Sequence, residues 1–311
     1  MQKFKNILYV DHGLDQDRDS LLRVLEIAER NNARLKGLIV CPALPPDMVE
    51  YQEAYHQSLI NTLQSGVKNL QSMRHSDAST LPISIEITSG GNPAINIIHA
   101  IAEHGHDLLV KDAEPLDTGN KGFKALDMKL LRKCPCPIWL NKHTHQLKHN
   151  GRVAVAIDPM VTEPEQIELA IRLLQLGHSI ADNYDSHLHI VSCWDFEMEN
   201  YLRHHVWINI EDDLLDKQIE ATRIKHRATL DSLIHQSGIG GEMVIHHLHG
   251  SADKKIPALV NDEQVDVLVM GTVARSGIKG LIIGNTAENI FQAIPCSLVA
   301  LKPQGFISPI T

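Results

Sequence analysis

The segment with the plainest chemical capacity runs from Met270 to Glu288 and reads MGTVARSGIKGLIIGNTAE. Gly271 removes a side chain where an apolar run passes into a loop, which lets a sugar or phosphate approach the backbone. Thirteen positions on, Gly284 stands before Asn285, Thr286 and Ala287. Their N–H groups, with the side chains of Asn285 and Thr286, make a cradle for an anion at the positive end of a helix dipole. Val273 and Ala274 belong to the same candidate binding loop, and Arg275 and Lys279 add positive charge. The same residues also read as a tight turn followed by a Gly-Asn helix cap.

Other residue types offer weaker chemistry. In a strand, His247 and His249 share one face, as two ligands of a zinc site would, but no third ligand is specified, so they read as exposed strand histidines and no metal is expected. His204, His205, His143, His145 and His149 read as ordinary exposed histidines. Cys134-Pro135-Cys136 reads as two core or turn thiols, the alternative being a redox pair. Trp194, Phe196, Tyr201 and Trp207 either cover an apolar ligand pocket or fill the space under a long connection.

The elements that must position the loop repeat along the chain. Ile7 to Asp11 (ILYVD) matches Ala154 to Asp158 (AVAID), each a buried strand ending in a carboxylate, and each precedes an amphipathic helix. Apolar strands follow at Leu35 to Val40 and His187 to Cys193, then long helices at Pro46 to Met73 and Glu211 to His235. The third strands end before Gly91 and Gly250, and Asp107-Leu108-Leu109-Val110 matches Asp266-Val267-Leu268-Val269. Both pairs are 159 residues apart, whereas the closing strands, from Cys136 and Cys296, are 160 apart. Strands alternating with helices predict two tandem five-stranded parallel doubly wound α/β domains, residues 1–142 and 152–304. The polar, histidine-rich linker from Asn141 to Gly151 keeps them close, as an internal pseudo-dimer. Ligands of such sheets bind at the C-terminal strand edges, at the switch in winding direction, which selects Asp11 or Asp158 with the loop after the fourth strand.

The first half lacks the cradle. Asp112 stands against Gly271, Lys124-Ala125 falls against Gly284-Asn285, and Asp112, Glu114 and Asp117 would repel phosphate. This half is expected to be a structural or partner-binding copy. A formal net charge of -9 argues against nucleic acid or an anionic membrane as partner. Five scattered cysteines, and an N-terminus without a long apolar run, predict a reduced, cytoplasmic protein.

The stretch GTVARSGIKGLIIGNTAENI, with LLRKCPCPIWL from Leu130 to Leu140, closely resembles the tandem-domain E type of the universal stress proteins, and the resemblance covers both halves. The nucleotide-binding branch of that family has glycine, two residues, glycine, nine residues, then glycine followed by serine or threonine. Here Ala274 replaces the second glycine and Asn285 the hydroxyl residue, with Thr286 next. The resemblance implies a stress-response protein binding ATP or a related adenine nucleotide, with Mg2+ as companion. It places Ile157, Asp158 and Pro159 on the adenine and ribose side, and Cys193 and Met270 near the base. The alternatives are slow ATP hydrolysis with Asp158 and Thr286 beside a metal, a scaffold without nucleotide, or a binder of apolar small molecules. No catalytic constellation is locatable. Protein partners and a homodimer are compatible with this reading.

Overall fold

The structure, a computed structural model, describes residues 4–13, 19–74, 81–114, 121–142, 150–204, 211–272 and 283–310. The first half contains β1 (Asn6–Asp11), α1 (Asp19–Asn31), β2 (Arg34–Cys41), α2 (Gln52–Arg74), β3 (Ile83–Ser89), α3 (Pro93–His104), β4 (Leu108–Asp112), α4 (Ala125–Lys133) and β5 (Ile138–Asn141). The second contains β6 (Arg152–Ala156), α5 (Pro164–Asn183), β7 (His187–Trp194), α6 (Glu199–His204), α7 (Asp212–Ser237), β8 (Met243–His249), α8 (Ala252–Asp262), β9 (Val267–Gly271), α9 (Asn285–Ala293) and β10 (Ser297–Leu301). The helix expected from Pro46 begins instead as a 3-10 segment, Pro46–Tyr51, because consecutive prolines at 45 and 46 restrict entry into an α-helix. The short α6 was not foreseen.

Strand alternation explains the layering. In β1, Ile7 and Tyr9 face the layer built by α1, α2, α5 and α7, whereas Leu8 and Val10 face α3, α4, α8 and α9. All four strand residues are buried, as a sheet covered on both faces requires. Within each half every strand pair is parallel, and the winding reverses between β1 and β4 and between β6 and β9. The two halves then join into one ten-stranded sheet, in the order β3-β2-β1-β4-β5-β10-β9-β6-β7-β8.

The joining pair, β5 and β10, is antiparallel, with Leu298 opposite Leu140, Val299 opposite Trp139 and Ala300 opposite Ile138. Around it the halves exchange equivalent contacts. Lys142 Nζ donates to the Ile294 carbonyl at 2.9 Å, and Lys302 Nζ to the Leu131 carbonyl at 2.7 Å. These lysines are 160 residues apart, so each half's closing strand sends a cation to the C-terminal end of the other half's last helix. They are only 9 % and 6 % exposed, and burial pulls both ammonium groups down to about 8. Gly122, at φ 90°, brings the first half's turn against the end of α9; a Cβ there would lie 2.6 Å from the Gln292 carbonyl oxygen. On the opposite face Arg23 stacks between Trp139 and Tyr184, and Tyr184 Oη donates to Glu26 at 2.9 Å.

Because both lysines titrate lower when folded than the ordinary 10.5, the unfolded chain binds more protons between about pH 8 and 10.5. Their contribution to stability therefore rises with pH across that window. Urea unfolding of the native chain and a Lys142→Met/Lys302→Met variant should show the native chain gaining at least about 2 kcal/mol relative to the variant from pH 7.5 to 10.5. A pH-independent difference would contradict the burial of two charged amines.

Candidate functional site

The C-terminal edges of β6 and β9 lie side by side, with Ala156 opposite Met270. This places Ile157, Asp158 and Pro159, which leave β6, beside Gly271, which ends β9. Ile157 is locked in place: its N–H donates to the Val191 carbonyl at 2.9 Å, and its own carbonyl accepts from Ser192 Oγ at 2.8 Å. Asp158 turns the chain, its Oδ1 accepting the Met160 N–H at 3.0 Å, and Pro159 is buried beneath that turn. Cys193, on neighbouring β7, lies within electrostatic reach of Asp158 and of Lys255 from α8. Burial pushes its thiol up to about 11, the Asp158 charge adding to the rise and Lys255 opposing it, so it is a neutral lining group at pH 7. Lys255 is a nearby cation that the sequence did not single out.

At the other side Gly284 caps α9, and its N–H donates to the Thr272 carbonyl at 3.1 Å, which pins the helix start to the end of β9. Asn285 and Thr286 are exposed in the first turn of α9, while Ala287 is buried beneath it. The edge thus brings together Ile157, Asp158, Pro159, Cys193, Met270, Gly271, Gly284, Asn285, Thr286 and Ala287. Val273 and Ala274, with Arg275 and Lys279, lie outside the described residues. The structure adds a packing constraint at Gly271. A Cβ there would sit 3.2 Å from Leu169 Cδ2, so the close packing of α5 is a second reason for glycine at this position. Gly284 has φ −61° and ψ 141°, a conformation open to any residue.

The corresponding edge of the first half carries its own ion pair. Lys111 Nζ, fully buried, donates to Asp127 Oδ1 at 3.0 Å and to the Asp112 carbonyl at 2.7 Å, and Asp127 Oδ2 accepts the Glu114 N–H at 2.8 Å. Asp127 stands in the first turn of α4, so a carboxylate of the chain takes the position where a helix start attracts an anion. Asp112 is held by Ser20 and by Asn141 Nδ2. Asp127, which the sequence reading did not single out, thus fills the helix start with a carboxylate of the chain itself. Glu114 contributes its backbone, and Asp117 lies outside the described residues.

The histidines separate into distinct contacts. His189 Nδ1 and His246 Nε2 are 2.9 Å apart on one side of the sheet, and His226 Nδ1 and His247 Nε2 are 2.9 Å apart on the other. His249 instead stacks on Trp194, with ring centroids 4.2 Å apart. Thus His247 hydrogen-bonds to His226 while His249 does not, although both rings stack on Trp194, at 5.9 and 4.2 Å. His205 and the linker histidines lie outside the described residues. Trp194 is buried against histidines, Tyr201 is 68 % exposed and Trp207 lies outside the described residues, so the described aromatics converge on no common pocket. Cys134 and Cys136 are free, buried thiols with sulfurs 3.6 Å apart.

No described helix is long and apolar enough to cross a membrane. The model of the universal stress protein family matches residues 3–142 and 149–302. Universal stress protein E of Photorhabdus laumondii is 27% identical over 320 residues, spanning 100% of this chain and 98% of its own, and that of Escherichia coli K12 is 27% identical over 322 residues, with the same shares covered. A protein of unknown function from Pseudomonas aeruginosa PAO1 superposes with TM-score 0.73 at 23% identity, covering 97% of this chain and 94% of its own. A universal stress protein from Archaeoglobus fulgidus superposes with TM-score 0.62 at 16% identity, covering 96% and 98%. With two family matches meeting the two halves of one continuous sheet, the chain belongs to the universal stress protein family, with two of its domains in tandem.

Proposed function

We propose that this protein serves stress survival by binding an adenine nucleotide, ATP foremost, at the β6–β9 edge of its second half, while the first half acts as a fixed structural partner. The observation that carries this reading is the exchange of one ion pair for two apolar side chains. Where the first half has Lys111 and Asp127, the repeat register gives the second half Met270 and Ala287, 159 and 160 residues on. The start of α9 therefore lacks the carboxylate that occupies the start of α4. Glu288, the acidic residue in its first turn, pairs with Arg132 of the first half. An incoming phosphate would meet the N–H groups of Asn285, Thr286 and Ala287 and the Thr286 hydroxyl. Asp158, Ile157 and Pro159 would hold the ribose and base side, with neutral Cys193 and Met270 lining it. Mg2+, which takes oxygen ligands and shares them with phosphate, would find Asp158 and Thr286 suited to it. The cytoplasm is the compartment in which such a ligand and five free thiols coexist.

Calorimetric titration of the full chain with ATP, ADP and AMP should give one binding event per chain. Gly284→Asp should abolish it, because aspartate is a favourable helix cap yet sets a negative charge against the phosphate. Absence of heat with all three nucleotides would refute the reading, and turnover of ATP above an Asp158→Ala control would extend it to hydrolysis. The contrast between halves makes a second prediction. Asp127→Ala should cost about 3–5 kcal/mol in urea unfolding by leaving Lys111 buried and unpaired, and Lys111→Met/Asp127→Ala should recover most of that loss. Equal destabilisation by both variants would show that the pair does not act as a unit.

A further inference from the structure

Beyond the nucleotide edge, three metal-ligating side chains meet at the ends of β7 and β8. Asp195 follows β7, Glu199 opens α6, and His249 closes β8. His249 Nε2 is 3.1 Å from Glu199 Oε2 and 3.8 Å from Asp195 Oδ1, and one ligand atom from each residue lies within 4.8 Å of the other two. A first-row dication bound at about 2.0–2.2 Å sets its neighbouring ligand atoms roughly 3.0–3.6 Å apart, and the two spacings from His249 lie in or close to that range. We propose that Asp195, Glu199 and His249 form a binding site for a divalent transition-metal ion, with zinc the best match to one imidazole and two carboxylates.

Two contacts outside the three ligands support this assignment. Trp194, only 7 % exposed, lies nearly parallel to the His249 ring, at 12° with centroids 4.2 Å apart, and so restricts rotation of the imidazole. Glu199 is oriented through its other oxygen: Arg203 Nε donates to Oε1 at 3.1 Å, leaving Oε2 directed at His249, and Arg203 Nη2 is itself held by Asp216 Oδ1 at 2.7 Å. Metal-ligating carboxylates are commonly fixed by such an outer partner. Asp195 is exposed and His249 half exposed, so an ion can enter from solvent, and three protein ligands leave at least one position for water or an anionic group. The sequence offered His249 with His247 as a ligand pair, but His247 is committed to His226. The ligands that complete the set come from the β7–α6 connection, so a bound ion would clamp that connection to the sheet edge. This site requires no nucleotide and shares no residue with the edge formed by Asp158 and Thr286.

The test is calorimetric titration of the nucleotide-free full chain with ZnCl2, with visible absorption of Co2+ as a second readout. One saturable equivalent of zinc is expected, with Co2+ giving ligand-field bands of matching stoichiometry. Glu199→Gln and His249→Gln, verified as folded by circular dichroism, should each weaken zinc binding by about tenfold or more and remove the Co2+ bands, because each deletes a ligand. His246→Gln, which alters a neighbouring histidine pair, should leave both signals unchanged. Zinc binding retained in Glu199→Gln and His249→Gln, or lost in His246→Gln, would overturn the assignment, as would the absence of a saturable equivalent in the native chain.

Discussion

Two buried ammonium groups at the middle of the molecule constrain much of what surrounds them. A lysine in the interior is costly unless its protons find acceptors, and Lys142 and Lys302 find theirs in carbonyls at the ends of α9 and α4, each across the seam. The negative end of each helix dipole faces the same charge. That contact fixes where each helix ends relative to the other half's closing strand. Since α9 is short, fixing its end together with the Gly284–Thr272 hydrogen bond fixes its start as well. The donors proposed to meet phosphate are thus positioned from the seam as much as from their own half, and Arg132, reaching from the first half to Glu288, belongs to the same arrangement.

The two halves show how one scaffold supports opposite electrostatics at one edge. In each, a parallel strand ends beside a helix start, and the dipole there favours negative charge. The first half answers that field internally with Asp127 and balances the carboxylate with Lys111. The second replaces both with uncharged side chains, Met270 and Ala287, so no equivalent ion pair stands at the start of α9. Little else need change, since the strands, their register and the packing helices are shared.

Much of this architecture was legible in the sequence because it is written in local periodicity. Buried parallel strands announce themselves as short apolar runs, and the constant spacing between Asp107 and Asp266 identifies the second copy without a tertiary contact. Winding order pointed to Asp11 or Asp158 with the loop after the fourth strand, and the glycines of that loop singled out the second half. What could not be read depends on partners distant in the chain. Lys142 and Lys302 look like polar residues after a strand, and nothing local says that β5 and β10 pair antiparallel. Gly271 carries a turn-like signal, yet its neighbour is Leu169 on another element. Asp195 and Glu199 acquire meaning only when the ends of β7 and β8 are brought together. Asp127 was within reach, since the spacing of 160 sets it against Ala287, but attention to glycines hides an exchange of charge for methyl.

The antiparallel seam has a consequence for how the halves can differ. Were they separate identical chains meeting at this edge, every substitution would appear on both sides of the twofold, and the association would weaken on dilution. Joined by a short linker, the encounter becomes intramolecular, with an effective concentration set by the tether rather than by expression level. The pairing edges β5 and β10 are also consumed within one molecule, leaving β3 and β8 as the outer strands, where Glu86 and the histidines of β8 make poor templates for further strand addition. Each half is then free to mutate alone while remaining the permanent wall against which the other is built.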